Sequence, residues 1–129
     1  NLVVEDLAVP MSKVPETLRA IADLALKYNL RIPTVGHAGD GNLHPVISYD
    51  STDPDEVKRV EEASAELFKT VVGLGGTLTG EHGIGLAKIP YMGLEHDAVS
   101  MDVMRSVKSL FDPNNILNPG KMGLEVSKQ

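Results

Sequence analysis

The chain has 129 residues, 12 basic and 18 acidic side chains, and no cysteine, so it can form one hydrophobic core but neither disulfides nor thiolate metal sites. Its net charge of −6 argues against nucleic acid as a partner, because phosphates attract basic surfaces. No apolar run reaches the roughly 18 residues of a membrane-spanning helix. We therefore expect a globular, cytoplasmic protein, and the start at Asn1 directly before an apolar stretch suggests a fragment of a longer chain.

The first half of the chain predicts a strand, a helix and a hairpin. Residues Leu2–Val9 are apolar with acidic interruptions, which is typical of a strand. Apolar side chains at every third or fourth position predict a helix from Ser12 to about Asn29. The stretches Ile32–Ala38 and Leu43–Tyr49 predict two strands, and the Asp-Gly pair between them is a strong hairpin signal.

The second half predicts two helices separated by a strand. A helix begins at the Asp53-Pro54 pair and ends at the glycines from Gly73 onward. Residues Thr77–Glu81 predict a fourth strand. A last helix is predicted from about Glu95 to Phe111, with a buried face formed by Val103, Val107 and Leu110.

This order of elements, β-α-β-β-α-β plus a C-terminal helix, predicts an α+β fold of the ferredoxin-like kind. Such a fold has an antiparallel sheet with helices on one face. We expect residues 1–123 to form one domain and residues 124–129 to be a tail. Many unrelated functions use this fold, so the function has to be argued from a site.

Two histidines flank the predicted hairpin turn. If Asp40 and Gly41 are the central residues of a type I′ turn, His37 lies directly opposite His44 on one face of the sheet. Two imidazoles so placed can bind one cation, and Glu81 would complete a His₂Glu set that is typical of catalytic zinc. In a simple ferredoxin-like order, however, Glu81 lies at the opposite edge of the sheet from the hairpin tip, so either its loop folds back or the sheet is extended by strands absent from this chain. The other interpretation, two surface histidines beside a turn, stays open.

Glu81 and His82 are adjacent in a glycine-rich segment. On an extended chain their side chains would point to opposite faces, so that one could hold a metal while the other acts as a base toward a substrate. The alternative for His82 is a histidine that is hydrogen-bonded within a tight turn.

Three segments, GHAGDGNLHP, GEHGIG and DPNNILNPGK, resemble the C-terminal part of FAD-linked oxidases of the vanillyl-alcohol oxidase type. This group includes glycolate oxidase, D-lactate dehydrogenase and D-2-hydroxyglutarate dehydrogenase. The resemblance runs from Glu5 to about Met122, and the order of the three motifs makes it specific. It implies the latter half of a substrate (cap) domain, whose partner is the protein's own N-terminal FAD-binding domain.

The resemblance also implies roles for individual residues. His37, His44 and Glu81 would hold a divalent metal such as Zn²⁺ or Mn²⁺, and His82 would be the catalytic base on the substrate hydroxyl. The residues expected near the flavin are Asn42, Asn118 and Lys121. The segment around the last two is otherwise a simple connector after a helix. Family members often have Asn where this chain has Val46, so the substrate stays undefined.

The implied activity is flavin-dependent oxidation of a 2-hydroxy acid, such as glycolate or D-lactate, to the 2-oxo acid. Its implied partners are electron-transfer subunits and a second copy of the protein, with peripheral attachment to a membrane in the full complex. The chain alone is expected to be inactive. Two alternatives remain from the residues themselves: a stand-alone ferredoxin-like ligand-binding module, and a small metal-dependent hydrolase.

Overall fold

The computed structural model describes residues 1–37 and 39–124. The chain divides into two compact units, the first being Asn1–His82 and the second beginning at Gly83. Helices combine with an antiparallel sheet, which confirms the α+β class. Ala38 of the predicted hairpin and residues 125–129 of the predicted tail lie outside the described residues, and Leu124 is buried.

The sheet of the first unit is built around one long central strand. Its four strands are β1 (Leu2–Val4), β2 (Leu7–Ala8), β3 (Thr34–His37) and β4 (Asn42–Ser48). Strand β4 pairs antiparallel with each of the others. Leu2 lies opposite Ser48 and Leu7 opposite Leu43, so β1 and β2 continue one register. The predicted strand Leu2–Val9 therefore forms as two pieces that are separated by Glu5 and Asp6.

Two helices cover one face of this sheet. They are α1 (Val14–Lys27) and α2 (Pro54–Gly73), close to the predicted bounds. Asp53 caps α2, because its carboxylate accepts hydrogen bonds from the amides of Asp55 and Glu56. The main core brings together residues of β2, β4 and both helices: Leu7, Leu43, Ile21, Leu24, Leu67 and Val71.

Strand alternation decides which side chains face away from this core. Leu7, Leu43 and Ile47 point toward the helices, so their sequence neighbours on the strands point to the opposite face. Asp6, Asn42 and His44 belong to that opposite face. His37 joins them, because it pairs with Asn42 across the hairpin.

The predicted strand Thr77–Glu81 is wrong beyond its first residue. Thr77 forms an isolated antiparallel bridge with Ala8, and the chain then bends away from strand geometry. The amides of Glu81 and His82 instead donate hydrogen bonds to the carboxylate of Asp6, so they cannot join a neighbouring strand. The ferredoxin-like detail of the topology therefore stays a prediction.

The second unit is mainly helical, with α3 (Met92–Glu95), α4 (Ala98–Phe111) and two short 3₁₀ turns, Ile89–Tyr91 and Lys121–Gly123. A 3₁₀ turn in the first unit, Met11–Lys13, precedes α1. Helix α4 starts later than predicted because His96 has extended dihedral angles and Asp97 is the cap. No helix among the described residues has both the length and the apolar character to cross a bilayer.

The predicted buried face of α4 is wrong. Its members are 59%, 51% and 75% exposed, in the order Val103, Val107 and Leu110. An apolar face shows that a helix can pack against another apolar surface, but it does not show that such a surface is present. Among the described residues of the chain, no residue of α4 is classed as buried.

The cap of α4 should depend on pH. The backbone amide of Ser100 donates to the Asp97 carboxylate, which lowers the pKa of Asp97 below its ordinary value of 3.8. A lowered pKa in the folded state stabilises the fold above the ordinary value, and this contribution is lost as the pH falls through the lowered pKa. We expect Asp97→Ala to lower the free energy of unfolding at neutral pH, and the difference from wild type to shrink below pH 3.8.

Urea unfolding of the intact protein, followed by circular dichroism between neutral and acidic pH, measures this difference. Asp97→Asn is the control, because asparagine also caps helices but carries no charge. Its difference from Asp97→Ala should stay constant over the same range. If the difference in free energy of unfolding between wild type and Asp97→Ala did not change with pH, the cap would not depend on the charge of Asp97.

Candidate metal and acid–base site

The hairpin register differs from the predicted one by two residues. His37 lies opposite Asn42, and His44 lies opposite Val35, so the direct pairing of His37 with His44 is wrong. A type I′ turn requires positive φ at both central residues, but of the Asp40-Gly41 pair only Gly41 has it, at +71°. Strand β3 accordingly ends at His37 and β4 begins at Asn42, so the turn between them is longer than the predicted two-residue turn.

A contact with the chain after β2 explains this longer turn. The amide of Val9 donates to the carbonyl of Gly41 at 3.0 Å. A Cβ atom at Gly41 would lie 2.1 Å from the carbonyl oxygen of Val9. The turn therefore follows a neighbouring segment as well as its own sequence, and only glycine fits at its last position.

The two hairpin histidines nevertheless share one face of the sheet. A register change of two residues keeps every side chain on its original face, whereas a change of one would reverse it. His37 and His44 are therefore diagonal neighbours, and their ring centroids lie 5.5 Å apart with nearly perpendicular planes.

Glu81 lies between these histidines. Its Oε1 atom is 3.4 Å from Nε2 of His37 and 3.1 Å from Nε2 of His44. The chain reaches this position because Thr77 bridges to Ala8 and the following segment crosses over Asp6. The structure thus brings the three predicted ligands together, and their role as ligands stays a prediction.

His82 joins the same cluster. Its Nε2 atom lies 3.8 Å from Oε1 of Glu81, and its ring stacks on His44 with a centroid distance of 5.0 Å and an interplanar angle of 12°. The expectation that Glu81 and His82 point to opposite faces is wrong, because the segment is bent rather than extended. About half of the His82 side chain remains exposed.

Asp6 was not predicted as a site residue; it is 0% exposed and lies at the centre of the site. Its Oδ2 atom accepts hydrogen bonds from Thr79 Oγ1 and from the amides of Glu81 and His82, at 2.5, 2.9 and 2.8 Å. Its Oδ1 atom lies 3.7 Å from Nδ1 of His44. The available signal was the acidic pair Glu5-Asp6 inside an otherwise apolar strand.

These residues fit a divalent cation. Among the described residues, Asp6, His44, Glu81 and His82 each offer one ligand atom, and these atoms lie within 4.8 Å of one another. Imidazole nitrogen and carboxylate oxygen are ordinary ligands of zinc and manganese. His37 adds a third imidazole nitrogen beside Glu81. The cluster therefore has the donor set that the predicted metal requires.

Asn42 lies at the edge of a cleft beside this cluster. The cleft has a volume of about 290 Å³ and is lined by Ala8, His37, Asp40, Asn42, Gly80 and Glu81. Asn42 is 7% exposed, and its Oδ1 atom is buried without a hydrogen-bond partner among the described residues. A Cβ atom at Gly80 would lie 2.6 Å from the amide group of Asn42. The backbone of the Glu81 loop therefore lies directly against this amide.

Asn118 and Lys121 belong to the second unit, and they line a separate cleft of about 280 Å³ there. Asn118 has a positive φ of 49°, and the amide of Lys121 donates to its carbonyl at 3.3 Å. The preceding turn is held by Asp112, which accepts hydrogen bonds from the amides of Ile116 and Leu117. A hydrogen bond from Lys108 lowers the pKa of Asp112.

Comparison with known proteins gives a family for the chain. Residues 1–122 match the family described as FAD linked oxidases, C-terminal domain. The chain is 50% identical over 120 residues to the glycolate oxidase subunit GlcD of Bacillus subtilis strain 168. The aligned region covers 93% of this chain and 26% of the relative.

Two further relatives agree with this match. Identity is 41% over 116 residues with GlcD of Escherichia coli strain K12, covering 90% of this chain and 23% of the relative. It is also 41% over 118 residues with the probable mitochondrial D-lactate dehydrogenase of Danio rerio, covering 91% and 24%. The chain spans about a quarter of the length of these curated relatives. Since the family match covers nearly all of it, the chain belongs to the C-terminal domain family of FAD linked oxidases.

Proposed function

We propose that this chain supplies the acid–base and metal-binding part of an active site that oxidises 2-hydroxy acids with FAD. One observation carries the proposal: His37, His44 and His82 all approach the same carboxylate oxygen of Glu81, at 3.4, 3.1 and 3.8 Å. Relatives at 50% and 41% identity bear the names glycolate oxidase subunit and probable D-lactate dehydrogenase. Those names support 2-hydroxy acids as the substrate class.

His82 is the group that accepts the substrate's hydroxyl proton. It is partly exposed, and a neutral imidazole is the usual general base near neutral pH. The stacked ring of His44 and the hydrogen bond from the His82 amide to Asp6 hold it in place. FAD, when bound, supplies the acceptor for the hydride that leaves the substrate's α-carbon.

His37, His44 and Glu81 are the residues that would hold a divalent cation. A cation held there would act as a Lewis acid toward the hydroxyl and carboxylate oxygens of the substrate. The cleft beside His37 and Glu81 is large enough for a small 2-hydroxy acid to bind next to these ligands. His37 and Glu81 are both about half exposed, whereas His44 is nearly covered, so His44 forms the inner wall of the site.

The predicted flavin contacts complete the proposal. Asn42 lines the cleft, and its amide oxygen is buried without a hydrogen-bond partner among the described residues; its role toward the flavin is proposed from the motif resemblance. Asn118 and Lys121 are proposed as flavin contacts on the strength of the motif resemblance. The family match over residues 1–122 favours this function over a stand-alone binding module or a hydrolase.

Anaerobic flavin reduction tests the proposed activity. The intact, FAD-loaded protein is mixed with glycolate, D-lactate or D-2-hydroxyglutarate, and the visible absorbance of the flavin is followed. We expect at least one of these acids to bleach it. Acetate and propionate, which lack the hydroxyl group, are the matched controls and should leave the spectrum unchanged. Oxidised flavin after prolonged incubation with all three hydroxy acids would contradict the proposal.

A further inference from the structure

We propose that Asp6 is a positioning residue that sets both the loop and the histidine tautomer of the proposed metal site. The inference rests on the proposed function, since it concerns how that site is held. The register of β1 and β2 against β4 places Asp6 opposite His44, and the amide of Glu5 donates to Pro45 in the same register. Asp6 is thus a cross-strand neighbour of the most buried histidine.

One oxygen of Asp6 anchors the loop that bears Glu81 and His82. Oδ2 accepts from Thr79 Oγ1 and from two consecutive amides. Hydrogen bonds to a carboxylate are stronger than those between neutral groups. Since Glu81 and His82 are the residues whose amides are bound, their side chains take their positions from this anchor.

The other oxygen of Asp6 faces the inner nitrogen of His44. Oδ1 lies 3.7 Å from Nδ1 of His44, which is longer than a hydrogen bond. That nitrogen is buried and has no hydrogen-bond partner among the described residues, while Nε2 of the same ring faces Glu81. A histidine that binds metal through Nε2 must carry its hydrogen on Nδ1, and metal-binding histidines commonly donate this hydrogen to a carboxylate. Asp6 is the carboxylate in that position.

Asparagine at position 6 separates the two roles. The three hydrogen-bond donors of the loop, one hydroxyl and two backbone amides, would orient the asparagine side chain. Its oxygen would then take the place of Oδ2, and the loop would stay anchored. Its NH₂ group then faces Nδ1 of His44 and can only donate. Nδ1 would become an acceptor, the hydrogen would move to Nε2, and Nε2 would no longer be free to bind a cation.

The test compares wild type, Asp6→Asn and Asp50→Asn in the intact protein. Asp50 accepts from the amide and hydroxyl of Thr52 in an exposed turn, so it receives the same chemical change outside the site. We expect Asp6→Asn to bind Zn²⁺ about 10–100-fold more weakly in calorimetry, the usual effect of losing a partner of a metal ligand. Asp50→Asn should bind Zn²⁺ as wild type does.

Nitrogen NMR of the metal-free protein, labelled at histidine, gives a readout that a purely structural role would not change. Nδ1 of His44 should carry hydrogen in wild type and lose it in Asp6→Asn. If the variant fails to fold, the His44 tautomer in wild type still tests the inference. An Nδ1 atom of His44 without hydrogen in wild type would overturn it. Equal Zn²⁺ affinity of Asp6→Asn and wild type would overturn it as well. Absence of Zn²⁺ binding in wild type would overturn the proposed metal role instead, and the NMR signals would still decide the role of Asp6.

Discussion

Replacing His82 by alanine is expected to slow flavin reduction by the 2-hydroxy acid about 10²–10⁴-fold, the usual contribution of a positioned general base. The His82 ring is partly exposed and its Nε2 lies in the cluster around Glu81. Alanine removes the proton acceptor, but it leaves the backbone amide that binds Asp6. Anaerobic stopped-flow measurement of the intact protein gives the reduction rate at saturating substrate, and the concentration dependence gives substrate affinity.

The affinity for substrate should change much less than the rate, because a base acts mainly in the transition state. His96→Ala is the matched control, since His96 is the one histidine of the sequence outside the three motifs and lies between α3 and α4. It should reduce flavin at the wild-type rate. Equal limiting rates for wild type and His82→Ala would rule out the base, whereas equal losses of rate in both variants would indicate a general effect of losing a histidine.

The hairpin shows how far local sequence signals reach. Apolar periodicity and the Asp-Gly pair were sufficient to place two strands and to put His37 and His44 on one face. The register was not predictable, because Gly41 is held by the backbone of Val9, a contact across more than thirty residues of sequence. His37 and His44 still share one face of the sheet, because the error was an even number of residues.

The segment after α2 shows a different limit. Thr77 to Glu81 has the composition of a strand, and one bridge to Ala8 does form. Composition cannot show that the buried carboxylate of Asp6, 75 positions away, will accept the hydrogen bond of the Glu81 amide, which a strand would need. The same carboxylate resolves the difficulty of bringing Glu81 to the hairpin. One unpredicted residue, Asp6, therefore accounts both for the missing strand and for the assembled site.

Helix α4 was predicted correctly as a helix but not in its environment. Its end at Phe111 was predicted, whereas its start was predicted at about Glu95 and the structure has Asp97 as the cap. Burial of Val103, Val107 and Leu110 depends on another surface, and periodicity carries no information about which surface that is. Their exposure shows that an amphipathic pattern can predict a helix without predicting that its apolar face is buried.

His44→Ala is expected to abolish binding of Zn²⁺ by the intact protein. The His44 side chain is 10% exposed, against 57% for His37, and its ring contacts those of both His37 and His82. A side chain that is already fixed by its neighbours loses little conformational entropy when a cation binds. Such a ligand therefore contributes more to the binding free energy than a mobile one does. Alanine would also leave Glu81 without its nearest nitrogen, at 3.1 Å.

Calorimetric titration with Zn²⁺ measures this loss, with His96→Ala as the control that removes an imidazole away from the cluster. His37→Ala should weaken binding less than His44→Ala does, because the exposed ring of His37 is the more mobile ligand. Unchanged affinity in His44→Ala would show that any bound zinc lies elsewhere. The reverse order of the two variants would instead place the cation at the outer edge of the cluster, beside His37 and away from Asp6.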